Sequence, residues 1–295
     1  MPELPDVALY VDALNARITG LVLKRVHAPS PFVLRSVDPP LDALNGRVVR
    51  GVSRLGKRIV IGFDDEFSLV LHLMIAGRLR WRTPGQKTGV APRMVLAELE
   101  FDTGKLLFTE AGSRKRASMH VIRGTDGLKA IDRGGVEPLA VSLAEFRQAL
   151  VAENHTLKRS LTDPRLFSGI GNAYSDEILH AAKLSPLKLT QSLTDEEIGR
   201  LFDATRTTLQ EWVERLRAEA AGAFPEKVPA FHAEMAVHGR FGKPCPVCGA
   251  PVQRIVYAEN ECNYCAVCQT GGRLLADRAL SRLLRDDWPK RLEEW

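Results

Sequence analysis

Apolar residues recur at Val7, Leu9, Tyr10, Val11, Leu14 and Ile18, the three-to-four-residue spacing of one face of a helix. The pattern predicts a helix over Asp6–Ile18, ended by Gly20. From Leu21 to about Ile122 the period shortens. Strand-like runs are expected at Leu21–Val26, Arg47–Val52, Arg58–Phe63, Ser68–Met74, Val95–Phe101, Lys105–Thr109 and Ser118–Val121. Turn-forming clusters such as Pro29-Ser30-Pro31 and Asp102-Thr103-Gly104 separate them, and short strands at this spacing predict a β-sandwich. A glycine-containing linker follows around Arg133–Pro138, and the helical period returns over Leu143–Leu216. Ala218–Pro229, rich in Ala, Gly and Pro, reads as a loop. Leu274–Trp295 reads as a charged amphipathic helix with an apolar stripe of Leu274, Leu275, Leu280, Leu283 and Leu284. The fold class expected is α+β and multidomain.

A chain of 295 residues with 45% hydrophobic content is long enough for about two domains and a small module. Its formal net charge of +5 favours polyanionic partners. No apolar run approaches the ~18 residues of a membrane span. Pro2 to Tyr10 carries Glu3 and Asp6 and no basic residue, unlike a secretory signal, so a cytoplasmic, reducing location is expected.

That expectation bears on the cysteines. Cys245-Pro246-Val247-Cys248 and Cys265-Ala266-Val267-Cys268 are two Cys-x-x-Cys pairs with sixteen residues between them. Each pair supplies two thiolates from one tight turn, and the spacing fits a structural four-cysteine Zn2+ site. Two disulfides or a redox motif are the alternative, and persistent disulfides are disfavoured in a reducing compartment. Cys262 is read as a spare thiol in the hairpin.

Two further features carry chemistry. If Met1 is removed, Pro2 becomes a terminal secondary amine, able to attack a sugar carbon and form an iminium; Glu3 stands beside it as an acid/base group. The bland alternative is that Pro2 only permits Met removal. Gly169-Ile170-Gly171-Asn172 lies between two helical patterns, where a turn into a helix N-terminus can hold a phosphate. Alternatively Gly169 and Asn172 are only a C-cap and an N-cap.

Together with Gly56-Lys57-Arg58 on a strand and Val237-His238-Gly239-Arg240 ahead of the cysteines, these motifs occur in an order that resembles the formamidopyrimidine-DNA glycosylase/endonuclease VIII family, over most of residues 2–270. The resemblance implies an N-terminal catalytic β-sandwich domain flanked by helices (1–132), a helix–two-turns–helix DNA-binding domain (133–230) and a zinc finger (231–270); the helical extension over 271–295 runs beyond the usual end of the family's finger. It implies a monomeric base-excision repair enzyme acting on damaged double-stranded DNA, with no membrane partner. Pro2 would attack C1′ and form a Schiff base, Glu3 would protonate the sugar ring oxygen, and β/δ-elimination would follow. Lys57 would contact phosphate near the lesion. Lys158, Gly171 and Asn172 would hold the DNA backbone, with the basic loop residues Arg114 and Arg116. A lesion inside a duplex must be flipped out, so clamps on both sides are physically required. His72 is expected to be a hydrogen-bonded core histidine.

The chain departs from the family at several positions. Asn260 stands where the family usually has an arginine that grips phosphate, beside Glu259 and Glu261; Arg254, Arg273 or Arg240 could substitute. The segment Glu110-Ala111-Gly112-Ser113-Arg114-Lys115-Arg116 lacks the family's aromatic wedge, leaving Met74 or Ile75 to fill the gap of a flipped base. Asp6 replaces a glutamate. These changes argue against assuming oxoguanine specificity and predict a divergent member with low activity on standard lesions. A damaged-DNA-binding protein that has lost catalysis is the alternative, and a zinc-stabilised scaffold a third reading.

Overall fold

The computed structural model describes residues 1–295 except 113, 227, 229–231, 258–259, 277–281, 286–288 and 293–295, together with the side chains of 31, 257 and 260. Compactness divides the chain into two units, Met1–Arg133 with Trp212–Ala230, and Gly134–Glu211 with Phe231–Trp295.

The first unit opens with helix α1, Leu4–Ile18. It starts where the Asp6 carboxylate accepts the Glu3 N–H at 2.8 Å, satisfying a backbone donor that a helix leaves open. Val7, Tyr10, Leu14 and Ile18 are fully buried, as their spacing requires. Eight strands follow: β1 Arg25–His27, β2 Val49–Leu55, β3 Arg58–Phe63, β4 Phe67–His72, β5 Gly77–Arg82, β6 Val95–Phe101, β7 Gly104–Glu110 and β8 Ser118–Arg123. Among the described residues they form two antiparallel sheets, ordered β1-β6-β7-β5 and β2-β3-β4-β8. One continuous core joins them: Ile59, Leu69 and Leu71 from one sheet meet Leu79, Leu99 and Phe108 from the other, with Tyr10 and Leu14 of α1. This is the sandwich that the strand pattern predicts.

Several elements differ from expectation. β5 was not expected: at Arg78, Arg80, Trp81 and Arg82 it reads as polar, yet it forms a complete ladder with β7 from Gly77↔Glu110 to Arg82↔Lys105. The run expected through Met74 stops at His72, because Met74 takes a left-handed φ of 52° in the turn that leads to β5. Helix α2, Gly124–Ile131, was also not expected; its Leu128 and Ile131 pack on Val60, Val70 and Ile122, covering part of the second sheet's outer face.

The second unit holds α3 (Leu143–Val151), α4 (Leu157–Thr162), α5 (Asn172–Ala181) and the start of α6 (Asp195–Ala220). Phe146 of α3 packs against Phe167 and Phe202 at centroid distances of 4.8 and 5.4 Å. Gly171, rather than Asn172, is the N-cap of α5, and Asp163, rather than Gly169, is the C-cap of α4. The unit ends in the hairpin of β9 (Gln253–Tyr257) and β10 (Asn260–Tyr264), then α7 (Ala266–Thr270).

The helix expected over Leu274–Trp295 is not continuous. Leu274 N–H donates to Lys290 O and Leu292 N–H to Gly272 O, both near 3 Å, so two extended stretches lie side by side. Leu274 and Leu275 are buried against Ile255 and Tyr264, whose hydroxyl accepts the Leu275 N–H at 2.8 Å. Core burial of the paired leucines outweighs the helical period. Leu283 is exposed, and Leu280 lies outside the described residues.

Gly77 shows how tightly the turn before β5 is built. A Cβ there would sit 2.2 Å from Leu73 O, the atom that accepts the Gly77 N–H at 2.8 Å. Gly77→Ala is therefore expected to destabilise the protein by about 2–3 kcal/mol, read as a lowered urea midpoint with an unchanged m-value.

Candidate functional sites

In the first unit, α1, β5 and the β2–β3 turn bring ionisable groups to the chain's amino end. Pro2 and Glu3 are buried, Glu3 to 3% exposure. The Met1 amine has its pKa lowered from the ordinary 8.0. Burial is the main cause, the Glu3 and Asp6 carboxylates oppose it, and the Arg78 and Lys57 cations add to it. Lys57 is placed by a two-residue turn in which Gly56 takes φ 60°, between paired Leu55 and Arg58. Sequence motifs far apart in the chain thus meet in one electrostatic cluster. A desolvated amine with a lowered pKa is more often neutral near pH 7, and the neutral form is the nucleophile.

Arg78 was missed by sequence reading. Its Nη1 donates to Ile75 O (3.1 Å) and Gly77 O (2.7 Å), and its Nη2 to Val228 O (2.8 Å). The available signal was the alternation Arg78-Leu79-Arg80, a strand whose polar face required partners. Of the two candidates in the Leu73–Gly77 turn, Ile75 is 57% exposed at the tip, whereas Met74 is half-buried. Arg114 and Arg116 are exposed on the loop after β7. The buried Glu110 carboxylate holds that loop by accepting Arg116 N–H (3.0 and 2.9 Å) and Ala117 N–H (3.2 Å). Ser113 lies outside the described residues. His72 is not in the core: it is half-buried at the end of β4, and its pKa falls to about 4 through burial and then the charges of Arg58, Lys57, His120 and Arg133.

In the second unit the glycine-rich turn leads into α5. Every residue of α5 from Ala173 to His180 is buried, including Asp176 and Glu177, which a surface helix would expose. Asp176 binds Lys158 Nζ through Oδ1 at 2.5 Å; its Oδ2 lies 2.8 Å from His238 Nδ1 and accepts Asn263 N–H at 3.1 Å. Lys158 also donates to Asn172 O (2.7 Å) and Ser175 Oγ (2.8 Å), so its ammonium is engaged inside the protein. Glu177 accepts the N–H groups of Ala236, Val237 and His238 at 2.7, 2.9 and 2.9 Å. Burial raises its pKa, and those three donors oppose the rise. Asn172 Nδ2 donates to Glu261 O at 2.8 Å, joining the glycine turn to β10.

Arg240 donates to Ala233 O (3.1 Å) and Pro244 O (3.4 Å), bracing the loop before the cysteines. Asn260 pairs with Tyr257 through its backbone; its side chain and Glu259 lie outside the described residues. Arg254 is exposed on β9, 4.3 Å over the Phe241 ring and 3.6 Å from a Glu261 carboxylate oxygen.

The sulfurs of Cys245, Cys248, Cys265 and Cys268 lie within 4.8 Å of one another, and none is in a disulfide. A tetrahedral ion with bonds of about 2.3 Å separates its sulfurs by about 3.8 Å, so the cluster can hold a metal ion. Gly249, at φ 77°, makes the knuckle, and His180 Nε2 lies 3.3 Å from Cys245 Sγ. Cys262 stands apart, buried at 1% exposure; burial and the neighbouring Asp176 charge push its thiol pKa well up.

The charge network around Asp176 makes a direct test of this unit. Asp176→Ala leaves the Lys158 ammonium buried without its counter-charge, and is expected to cost about 3–5 kcal/mol in denaturant unfolding. The double change Lys158→Met, Asp176→Leu is expected to recover much of that loss.

No helix among the described residues is long and apolar enough to cross a membrane. Residues 1–119 match the formamidopyrimidine-DNA glycosylase N-terminal domain and residues 135–221 its H2TH domain. The formamidopyrimidine-DNA glycosylase of Heliobacterium modesticaldum is 34% identical over 91% of this chain and its own whole length; that of Thermus thermophilus is 34% identical over 92% of this chain and its own whole length. Among solved structures, Lactococcus lactis Fpg in complex with DNA containing an abasic site is similar at TM-score 0.78 and 27% identity, covering 91% of this chain and 99% of that one. The same enzyme with FAPY-dG-containing DNA is similar at TM-score 0.79 and 28% identity, covering 91% and 100%. The chain belongs to the formamidopyrimidine-DNA glycosylase family.

Proposed function

We propose that this protein is a base-excision repair DNA glycosylase with AP lyase activity, acting as a monomer on damaged double-stranded DNA in the cytoplasm. The observation that carries the reading is the cluster at the amino terminus, where the buried carboxylates of Glu3 and Asp6 and the half-buried Lys57 and Arg78 meet a partly desolvated amine. A protein that only bound DNA would have no need of a desolvated terminal amine. The relatives with this name, and the solved Lactococcus lactis complexes with an abasic site and with FAPY-dG, support the reaction class.

After removal of Met1, the Pro2 nitrogen attacks C1′ of the flipped nucleotide. The N-glycosidic bond breaks, the base leaves with its electron pair and takes up a proton, and an iminium joins Pro2 to the sugar. Glu3 donates a proton to the ring oxygen as the ring opens. Loss of a C2′ proton expels the 3′ phosphate, a second elimination expels the 5′ phosphate, and water hydrolyses the iminium. Lys57 provides positive charge at this site.

In the second unit Gly171 and Asn172 at the start of α5 supply DNA-backbone contacts, with Arg240 bracing the loop before the cysteines; in the first unit Arg114 and Arg116 supply others. Lys158 serves by holding the start of α5 through Asn172 O and Ser175, and Arg254 offers an exposed guanidinium on the hairpin that carries Asn260. Exposure favours Ile75 over Met74 as the side chain that fills the gap of the flipped base. Zn2+ is the ion the four thiolates suit, one per chain, in a closed structural site. Elemental analysis of the purified protein is expected to give a zinc-to-protein ratio near one, and Cys265→Ser to abolish it.

The reaction is tested by borohydride trapping on duplexes carrying an abasic site or an oxidised base, after mass spectrometry has verified loss of Met1. A covalent adduct that disappears in Pro2→Gly is expected. Glu3→Gln should slow base excision by roughly 10²–10⁴-fold. Because only the neutral amine attacks, trapping should fall as pH drops and the Pro2 amine becomes protonated. Bound DNA with no adduct on any duplex would overturn the enzyme in favour of a damage-binding protein.

A further inference from the structure

Arg78, Arg80 and Arg82 alternate along β5 and so share one face of an edge strand. That face is covered by the segment after α6. The Glu226 carboxylate bonds Arg82 and, at 3.2 Å, Arg80; Val228 O accepts from Arg78. Phe224 packs 6.0 Å from the Tyr10 ring, Arg17 Nη2 donates to Gly222 O at 3.0 Å, and Val228 is 6% exposed in the core. Residues 222–226 and Val228 thus form a strap seated on β5 and α1.

Arg82 also reaches Thr88 O on the loop after β5, at 2.8 Å, whereas Arg78 reaches the turn before β5. The guanidinium whose Nη2 holds Val228 O uses Nη1 to hold Ile75 O and Gly77 O, in the turn that exposes Ile75. We propose that Arg78 is a positioning residue for base excision, a single fork that ties the Ile75 turn and the Val228 strap together beside the amino-terminal nucleophile, so that gap filling and attack are set as one geometry.

The proposal rests on the glycosylase reading. The fork is what makes it possible: a planar guanidinium directs several fixed donors at once, whereas a lysine ammonium has one centre. The turn also needs an external tie. Met74 holds a left-handed φ of 52°, and such a conformation persists only where its surroundings over-determine it. The amino terminus is faced by Glu3 and Asp6 from α1, by Lys57 from the β2–β3 turn and by Arg78 from β5. Arg78 is one of two cations that favour the neutral form of the Met1 amine, and the Pro2 amine exposed by removal of Met1 is expected to feel the same charge.

The test compares the full-length protein with Arg78→Met, Arg78→Lys and Glu226→Gln. Backbone hydrogen exchange is followed at 73–77 and 222–228, the Pro2 amine is titrated by NMR, and excision of a damaged base is measured against trapping at a preformed abasic site. In Arg78→Met, exchange should rise about tenfold in both segments and the amine should titrate at higher pH. Its excision should fall about a hundredfold, with a much smaller loss of trapping. Arg78→Lys should keep the amine's titration but not the protection; Glu226→Gln should loosen 222–228 alone.

The proposal is overturned if Arg78→Met leaves either segment protected or the amine's titration unmoved, or if excision and trapping fall equally. Should Arg78→Met not fold, the same exchange criterion applies to Arg78→Lys. If wild type neither excises nor traps, the glycosylase reading fails on that protein alone, while the exchange and titration still decide whether Arg78 is the tie.

Discussion

A charge buried away from water must find its counter-charge within the protein, and the second unit is arranged around one such charge. Asp176 is 1% exposed, yet it accepts from Lys158 of α4 and from Asn263 of β10 and pairs with His238 of the loop before the cysteines. Glu177, the next residue, accepts three successive backbone N–H groups of that same loop. Two adjacent carboxylates on one helix therefore hold the glycine turn, the hairpin and the approach to the four-cysteine cluster in register. Lys158 belongs to this support: with its ammonium committed to Asn172 O, Ser175 and Asp176, it fixes the end of α5 that the proposed function presents to phosphate.

The first unit meets the same requirement with the signs reversed. β5 lies at a sheet edge with three arginines on one face, and the chain returns after α6 to lay Glu226 and a backbone carbonyl across them. An exposed edge strand is a site for unwanted pairing, and cationic side chains covered by a strap remove that hazard. Through Arg78 the strap also joins the amino-terminal cluster. Stability and the proposed chemistry are served by one set of contacts.

The divergent positions have structural settings. Asp6, one methylene shorter than the glutamate it replaces, still reaches the Glu3 N–H at 2.8 Å and starts α1. The loop without an aromatic wedge is organised by the buried Glu110, which leaves the Arg114 and Arg116 side chains exposed. On the finger hairpin the exposed Arg254 pairs with Asn263, three residues along from the Asn260–Tyr257 pair, and is braced by Phe241 and Glu261.

Period and spacing were enough, in the sequence by itself, to determine α1, most strands of the sandwich, the helical middle of the chain and the four cysteines that cluster. These features depend on neighbours in the chain: a 3.6 or 2.0 repeat, or two thiolates within one turn, is local. Tertiary structure alone decided the rest. Gly77–Arg82 reads as a charged segment until Glu226 and Val228 cover it. Leu274 and Leu275 read as a helical stripe until Ile255 and Tyr264 bury them side by side. His72 sits in an apolar run, yet its position at the end of β4 places it among cations. Lys158 and Arg240 have the composition of DNA contacts, but the partners that engage them are a carboxylate eighteen residues away in one case and backbone carbonyls in the other. The physical reason is common to all of these: a charge or a leucine declares its type in the sequence, but its partner comes from a distant segment, and only folding determines which one meets it.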